Sequence, residues 1–266
     1  MMRRIQYILR RAIAFLSVYY AYMVEYRAEI FFWILAGSLP VILMGVWIQA
    51  AQSGDFSLSS IDIARYFFAV FLVRQFTNVW VIWEFEREVI DGRLSFRLLH
   101  PADPVWHHVS RHIAEKMTRF PIAILLTLLF FSLYPTAFWL PSFGQLLLTL
   151  IAITTAFSLS FLIQYTFAMF AFWTERASAI QQVWFLFYIF LSGLIAPLEV
   201  FPQVVRDIIQ WTPFPYLVHF PASLMIGLPE NIFRSFAIIL SWFIVVLILN
   251  RWLWRKGLRQ YSGMGA

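Results

Sequence analysis

Apolar runs long enough to cross a bilayer, which takes about 20 residues, fill most of this chain and are separated by short polar breaks. Their spacing predicts six transmembrane helices, over residues 30–49, 61–83, 120–140, 145–173, 177–197 and 233–254. Trp33 and Trp47 sit where interface anchors are expected in the first, and Pro40 predicts a kink within it. Residues 50–60, with Gly54, form a polar loop, and residues 141–144 a tight turn. The fourth run exceeds the minimum length and is expected to tilt or protrude. Glu175 and Arg176 mark a short turn into the fifth.

Ahead of the first span, residues 1–27 alternate basic and apolar positions. Arg3, Arg4, Arg10 and Arg11 recur at a seven-residue spacing, while Ile5, Ile8, Leu9, Ile13 and Leu16 fill another face. Such a helix is expected to lie along an anionic leaflet, with Tyr19, Tyr20 and Tyr22 at headgroup depth. Arg10 and Arg11 interrupt the apolar stretch and no small-residue cleavage site follows, so the segment is expected to be retained and not removed as a signal peptide.

The expected fold is therefore an all-α polytopic membrane protein in one domain, residues 1–266. It comprises an interfacial amphipathic helix (1–27), two spans (30–83), a cytoplasmic segment (84–119), three spans (120–197), an outer helical hairpin (198–232), a sixth span (233–254) and a basic tail (255–266). With both termini inside, 16 of the 20 Lys and Arg residues are cytoplasmic, which sets the orientation. Arg74 falls mid-span, where an arginine costs at least about 2.5 kcal/mol and should face protein or water. Gln75 and Asn78 add polar groups, with Asn78 expected on the same helix face as Arg74. A structural bond to a neighbouring helix and a polar substrate contact both fit these three residues.

Composition agrees with the class. Charged residues make up 13% of the chain, against about 25% for soluble domains. The net charge of +6 is read by location and not as a nucleic-acid footprint. Cysteine is absent, which excludes disulfides and thiolate metal sites. Both lysines, Lys116 and Lys256, lack the Gly before and Ser or Thr after that a phosphate-binding P-loop needs. ATP-driven work therefore needs a partner. His108, His112 and Glu115 share a helix face and could be drawn as a zinc site, but no Glu follows the first His as in metalloproteases. A solvated amphipathic helix is the expected reading, and no Ser-centred nucleophile motif supports an intramembrane enzyme. No internal repeat supports a secondary transporter; a channel would also be independent of ATP.

Residues 84–119 hold 12 of the 34 charged residues, and His107, His108 and His112 lie in the same stretch. Asp91-Gly92 should end a helix there, and Pro101 and Pro104 should stop the next one. Between them residues 94–99 predict a short helix with Leu94, Leu98 and Leu99 on one apolar face. A helix follows from Asp103 or Pro104 into the third span. Further on, six of the 12 prolines fall between Pro197 and Pro229 and cut that stretch into short helices at 204–211 and 216–225.

The polar segment resembles the second-to-third-span region of ABC-2-type exporter permeases, in particular a six-span group of about this length. The matching residues are Glu84, Glu86, Arg87 and Glu88, then Gly92, Arg93 and Leu94, then Leu98, Leu99, Pro101, Asp103 and Pro104. A second match runs through Ser192, Gly193, Leu194, Ile195, Ala196, Pro197 and Leu198, then Phe201, Pro202, Thr212, Pro213, Phe214, Pro221 and Gly227. The resemblance implies a permease subunit of an ATP-driven exporter in a bacterial inner membrane. It implies a transmembrane dimer with an identical or a second, similar permease, and two cytoplasmic ATPase subunits that carry the ATP and Mg; this chain would hold no cofactor. Residues 92–104 would be the coupling helix that contacts the ATPase. The stretch with Gly193, Pro197, Phe201, Pro202, Pro213 and Pro221 would dip back into the outer leaflet. Substrates across such exporters include lipids, glycans, peptides and drugs.

Overall fold

The chain is helical in the computed structural model, which describes residues 2–52, 58–228 and 230–261, and no strand occurs among the described residues. Gly54, Pro229, residues 262–266 and the side chains of Arg3, Arg4, Ile5, Ile8 and Leu9 lie outside that description. Helix α1 (Met2–Glu25) precedes α2 (Arg27–Ala36) and α3 (Leu39–Gln52). The last two form one membrane-length segment, broken at Gly37 and Ser38. Pro40 then sits in the first turn of α3, where its missing N–H is not needed.

Helix α4 (Ser60–Thr77) is apolar through its middle and buried there on every side. Tyr66, Phe67, Ala69 and Val70 have no accessible surface, and α3, α7 (Val105–Leu133), α8 (Phe143–Ala168) and α12 (His219–Ile226) pack around it. Its start is fixed by Ser59, whose hydroxyl accepts the Asp62 N–H at 3.1 Å. Helix α8 begins with a reciprocal cap between Ser142 and Gln145. The remaining helices are α5 (Val81–Ile90), α6 (Leu94–Leu98), α9 (Ser178–Leu191), α10 (Gln203–Ile209), α11 (Phe214–Leu217) and α13 (Ile232–Gln260).

Five segments among the described residues are long and apolar enough to cross a membrane, not the six expected. The missing one is the run at 177–197. Its helix has 14 residues, which at 1.5 Å each is about 21 Å against a hydrocarbon core of about 30 Å. The backbone leaves the helix at Ser192, Gly193 takes a left-handed φ of 84°, and Pro197 opens a 3-10 turn. The expected second span is also two helices, because α4 ends at Thr77 and α5 restarts at Val81. The third span stops at Leu133 rather than 140, since Pro135 cannot extend it. The last span runs on to Gln260, so the first half of the basic tail, residues 255–260, is helical.

The break between α4 and α5 divides the apolar interior in two. One cluster lies among α3, α4, α7, α8, α12 and α13. The other joins Val81, Ile82 and Phe85 of α5 and Leu94 of α6 to Met169, Phe172 and Leu253. Helix α1 lies along α7. Its contact is made by Tyr19, whose hydroxyl lies 3.0 Å from His107 Nδ1, by Phe15 edge-on to the same ring, and by buried Met23. Ile13, expected on the apolar face turned to the leaflet, is not covered by the rest of the chain. Tyr22 stacks under the Arg111 guanidinium, so two of the three tyrosines assigned to the headgroups meet protein.

Candidate functional site

Breaking a helix inside a bundle releases backbone groups that must find partners. At the α4–α5 break, Lys116 Nζ donates to the Asn78 carbonyl at 2.6 Å and Gln164 Nε2 to the Val79 carbonyl at 2.7 Å. The Trp80 N–H donates to His112 Nε2 at 3.3 Å. His112 Nδ1 lies 2.9 Å from the His108 carbonyl and must be the protonated nitrogen, which leaves Nε2 free to accept. Side chains of α7 and α8 thus replace the lost helical bonds.

Charge is concentrated just beyond this break. His108, His112, Glu115 and Arg119 form a stripe on α7 at spacings of four, three and four, and all four are buried. The expected solvated face is therefore wrong: the stripe turns inward because α5 presents a complementary one. Glu84 meets Arg111 at 2.6 Å and His108 at 3.5 Å, and Glu88 meets Arg97 at 2.6 Å and His108 at 3.4 Å. Glu115 pairs with Arg119 at 2.6 Å and accepts the Trp80 indole N–H at 2.7 Å. Arg119 donates onward to Gln75 at 2.8 Å. Glu86 accepts the backbone N–H and hydroxyl of Ser178, where an anion suits the start of α9. Each acid in the Glu84, Glu86, Glu88 motif so fixes a different element. No group of three His, Asp or Glu side chains in metal-binding geometry occurs among the described residues.

Helix α6 hangs from this network. Asp91 ends α5 and Gly92 turns the chain with a φ of 72°, while Arg93 pairs with Asp91 at the surface. Leu94 does not join an outward apolar face. It is 0% exposed, packed in the second cluster, because α6 has one side against α5 and α13. Arg97 to Glu88 and Ser95 to Tyr261, at 3.1 Å, hold that side. The outward apolar residues are Phe96, 70% exposed, and Leu99, 84% exposed, with Leu98 between at 37%. Pro101 is exposed, Asp103 caps α7 through the Val105 N–H at 3.0 Å, and Pro104 is buried beneath it.

The expected intramembrane patch is not one patch. Gln75 is buried on Arg119, whereas Asn78 lies past the end of α4, extended and exposed, so it shares no helix face with Arg74. Arg74 lies near the Tyr188 hydroxyl on α9, and its Nε is buried with no hydrogen-bond partner among the described residues. Arg74→Leu should lower unfolding stability by about 1.5–3 kcal/mol, the worth of a hydrogen bond to a charged group. An unchanged unfolding midpoint with lost transport would instead place Arg74 on the substrate path.

At the far end of α4 the proline-rich stretch folds against the bundle. Pro197 opens the 3-10 turn 198–200, Phe201 follows it, and Pro202 caps α10. Pro213 caps α11 and Pro221 lies in the first turn of α12. Residues 213–224 are buried throughout, against α4, α8 and α9. Burial pushes the Tyr216 phenol up to about 12, so it stays a neutral donor to the Gln210 carbonyl at 2.6 Å. The helix expected at 216–225 bends at Val218, and its backbone is covered by protein as non-helical segments require.

The chain matches the family described as ABC-2 family transporter protein over residues 41–265. It belongs to that family. It is a multi-pass membrane permease component of an ABC transporter, a kind of subunit that associates with an ABC ATPase. No curated protein matches it. In this permease, sequence reasoning missed that Glu84, Glu88, Arg97, Arg111 and Arg119 belong to a partly buried network. The signal was there: Glu84 and Glu88, four apart on α5, face His108 and Arg111, three apart on α7. His219 and Tyr66, joined at 2.9 Å, were also missed, and a lone histidine in an apolar run carries no such signal.

Proposed function

We propose that this permease is the membrane subunit of an ATP-driven exporter, dimeric with itself or a similar permease, and that α6 is where a separate ATPase subunit pushes. Phe96 and Leu99 carry the reading. They stand exposed on a short helix whose other side is locked by Leu94 and by the Arg97–Glu88 pair. A helix that is apolar outside and rigid inside transmits a push without yielding. From α6 the Arg97–Glu88–His108 pairs lead to α7, and hydrogen bonds through His112 and Trp80 continue to Glu115, Arg119 and Gln75 at the α4–α5 break, so a displacement of α6 has a connected polar route to the membrane segments. The basic ends and α6 are assigned to the cytoplasm on charge bias, and ATP and Mg to the ATPase.

A discontinuous helix also suits a secondary transporter. Here the freed backbone groups are occupied by Lys116, Gln164 and His112, and family membership favours the ATPase. Phe96→Asp combined with Leu99→Asp should abolish co-purification of the ATPase while the permease remains inserted and monodisperse. Undiminished ATPase recovery with the double variant would sink the docking assignment.

A further inference from the structure

At the end of the bundle away from α6, a cavity of ≈ 220 Å³ opens between the 198–200 turn, α10, α12 and the start of α13. Glu199, Glu230, His219, Arg206 and Arg234 line it. Two carboxylates and two guanidinium groups share this space, yet no ion pair between them forms among the described residues. Glu199 Oε2 and Arg206 Nε are buried and have no hydrogen-bond partner among the described residues. Charges held this way are normally paired.

The hydrogen bonds around His219 show what the acidic pole lacks. The Tyr66 hydroxyl has one proton and lies 2.9 Å from the Gly193 carbonyl, which can only accept. Its contact with His219 Nδ1 at 2.9 Å is therefore donated by Nδ1–H. In the neutral ring Nε2 then carries a lone pair. It faces Glu230 at 3.3 Å and Glu199 at 3.8 Å, with the Ser223 hydroxyl at 3.3 Å. Three acceptors converge with a single hydroxyl proton among them. A primary ammonium group, with three N–H donors in a compact head, matches that set. At the other pole Arg206 and Arg234 call for an anion, and guanidinium groups suit phosphate oxygens. A pure cation would meet the two arginines and a pure anion the two glutamates.

The cavity's surroundings bear on the source. Val204, Ile208 and Trp211 recur at four and three residues along α10 and beyond its end, and all are exposed, while Arg206 and Ile209 turn to the cavity. An apolar stripe with a terminal tryptophan is what a helix resting at headgroup depth presents.

We propose that this cavity binds a zwitterion with a primary ammonium and a phosphate, a phosphoethanolamine group, taken from a lipid headgroup or from a soluble molecule. The inference stands apart from ATPase docking, because binding needs only the permease.

The test uses the purified full-length permease without ATPase or nucleotide. O-phosphoethanolamine should bind at least about tenfold more tightly than phosphocholine, whose nitrogen has no N–H to donate, and than ethanolamine or inorganic phosphate alone. In nanodiscs with equal parts phosphatidylethanolamine and phosphatidylcholine, native mass spectrometry should show the ethanolamine lipid retained. Retention of lipid without binding of the free compound assigns the membrane as source, and the reverse assigns a soluble ligand. Glu199→Gln with Glu230→Gln should erase the preference. The wild-type comparison of ethanolamine and choline forms needs no variant, so a folding failure leaves the test intact. Equal binding of both forms, no binding of either, or a preference that survives in a folded double variant would overturn the proposal.

Discussion

Glu115→Leu should destabilise the permease by about 3–5 kcal/mol, the usual result of removing one partner from a buried ion pair. Glu115 is the only carboxylate within ion-pair distance of Arg119 among the described residues, and it also faces Lys116 at 3.6 Å. It accepts the Trp80 indole N–H as well, next to the α4–α5 break. Its loss leaves a buried guanidinium short of charge and a buried indole N–H without an acceptor. Glu115→Gln keeps an acceptor and removes the charge, so it should fall between. Combining Glu115→Leu with Arg119→Met removes both charges and should recover part of the loss, since an apolar pair of similar volume is often tolerated. By contrast Arg93→Ala, which breaks an exposed pair with Asp91, should change stability by no more than about 1 kcal/mol. Unfolding of the solubilised protein by denaturing detergent measures all four. A Glu115→Leu loss no larger than that of Arg93→Ala would show that the stripe is solvated after all.

What could be read from residues alone depended on whether the governing contact was local. Run length identified the membrane class and the long helices, because crossing a bilayer is a constraint on a single segment. The α4–α5 break escaped because residues 77–80, Thr-Asn-Val-Trp, contain neither glycine nor proline. What makes the break tolerable is Lys116, Gln164 and His112, none nearer than 32 residues from the group it serves. The short fifth helix escaped for a related reason. Residues 192–197 are apolar enough to continue a span, and hydropathy does not distinguish a helix from a covered irregular segment.

The candidate site divides along the same line. The spacing of His108, His112 and Glu115 was visible, but a buried and a solvated polar stripe look alike on one helix. Only the matching Glu84 and Glu88 on another helix decides between them. Likewise the turn signals at Gly92, Pro101 and Pro104 correctly bracketed α6. The identity of its outward residues did not follow, because five residues make little more than one turn and the neighbours α5 and α13 choose which side is hidden. Leu94 lost exposure to that choice and Phe96 gained it.

Gly193→Ala should be strongly damaging, because it combines a disfavoured backbone conformation with a steric clash. The residue sits at the elbow where α9 gives way to the buried hairpin, with a φ of 84°. A side chain in the left-handed region costs about 1–3 kcal/mol. The new Cβ would also collide with the Tyr66 hydroxyl oxygen and lie 2.9 Å from His219 Cβ, and such overpacking adds about 1–3 kcal/mol. Both neighbours are buried and tied to each other, so neither can swing aside freely. The two contributions separate in a double variant. Tyr66→Phe removes the hydroxyl that the methyl strikes but leaves the backbone conformation unchanged. Adding it to Gly193→Ala should therefore recover part of the loss and no more, a coupling that a double-mutant cycle reads directly. Gly45→Ala is the control: it lies within α3, a Cβ there meets nothing within 4 Å, and alanine should stabilise by about 0.5–1 kcal/mol. If Gly193→Ala unfolds at the wild-type detergent concentration, the elbow is not held in the left-handed conformation. Full recovery by Tyr66→Phe would mean that the clash alone, and not the backbone, makes glycine necessary there.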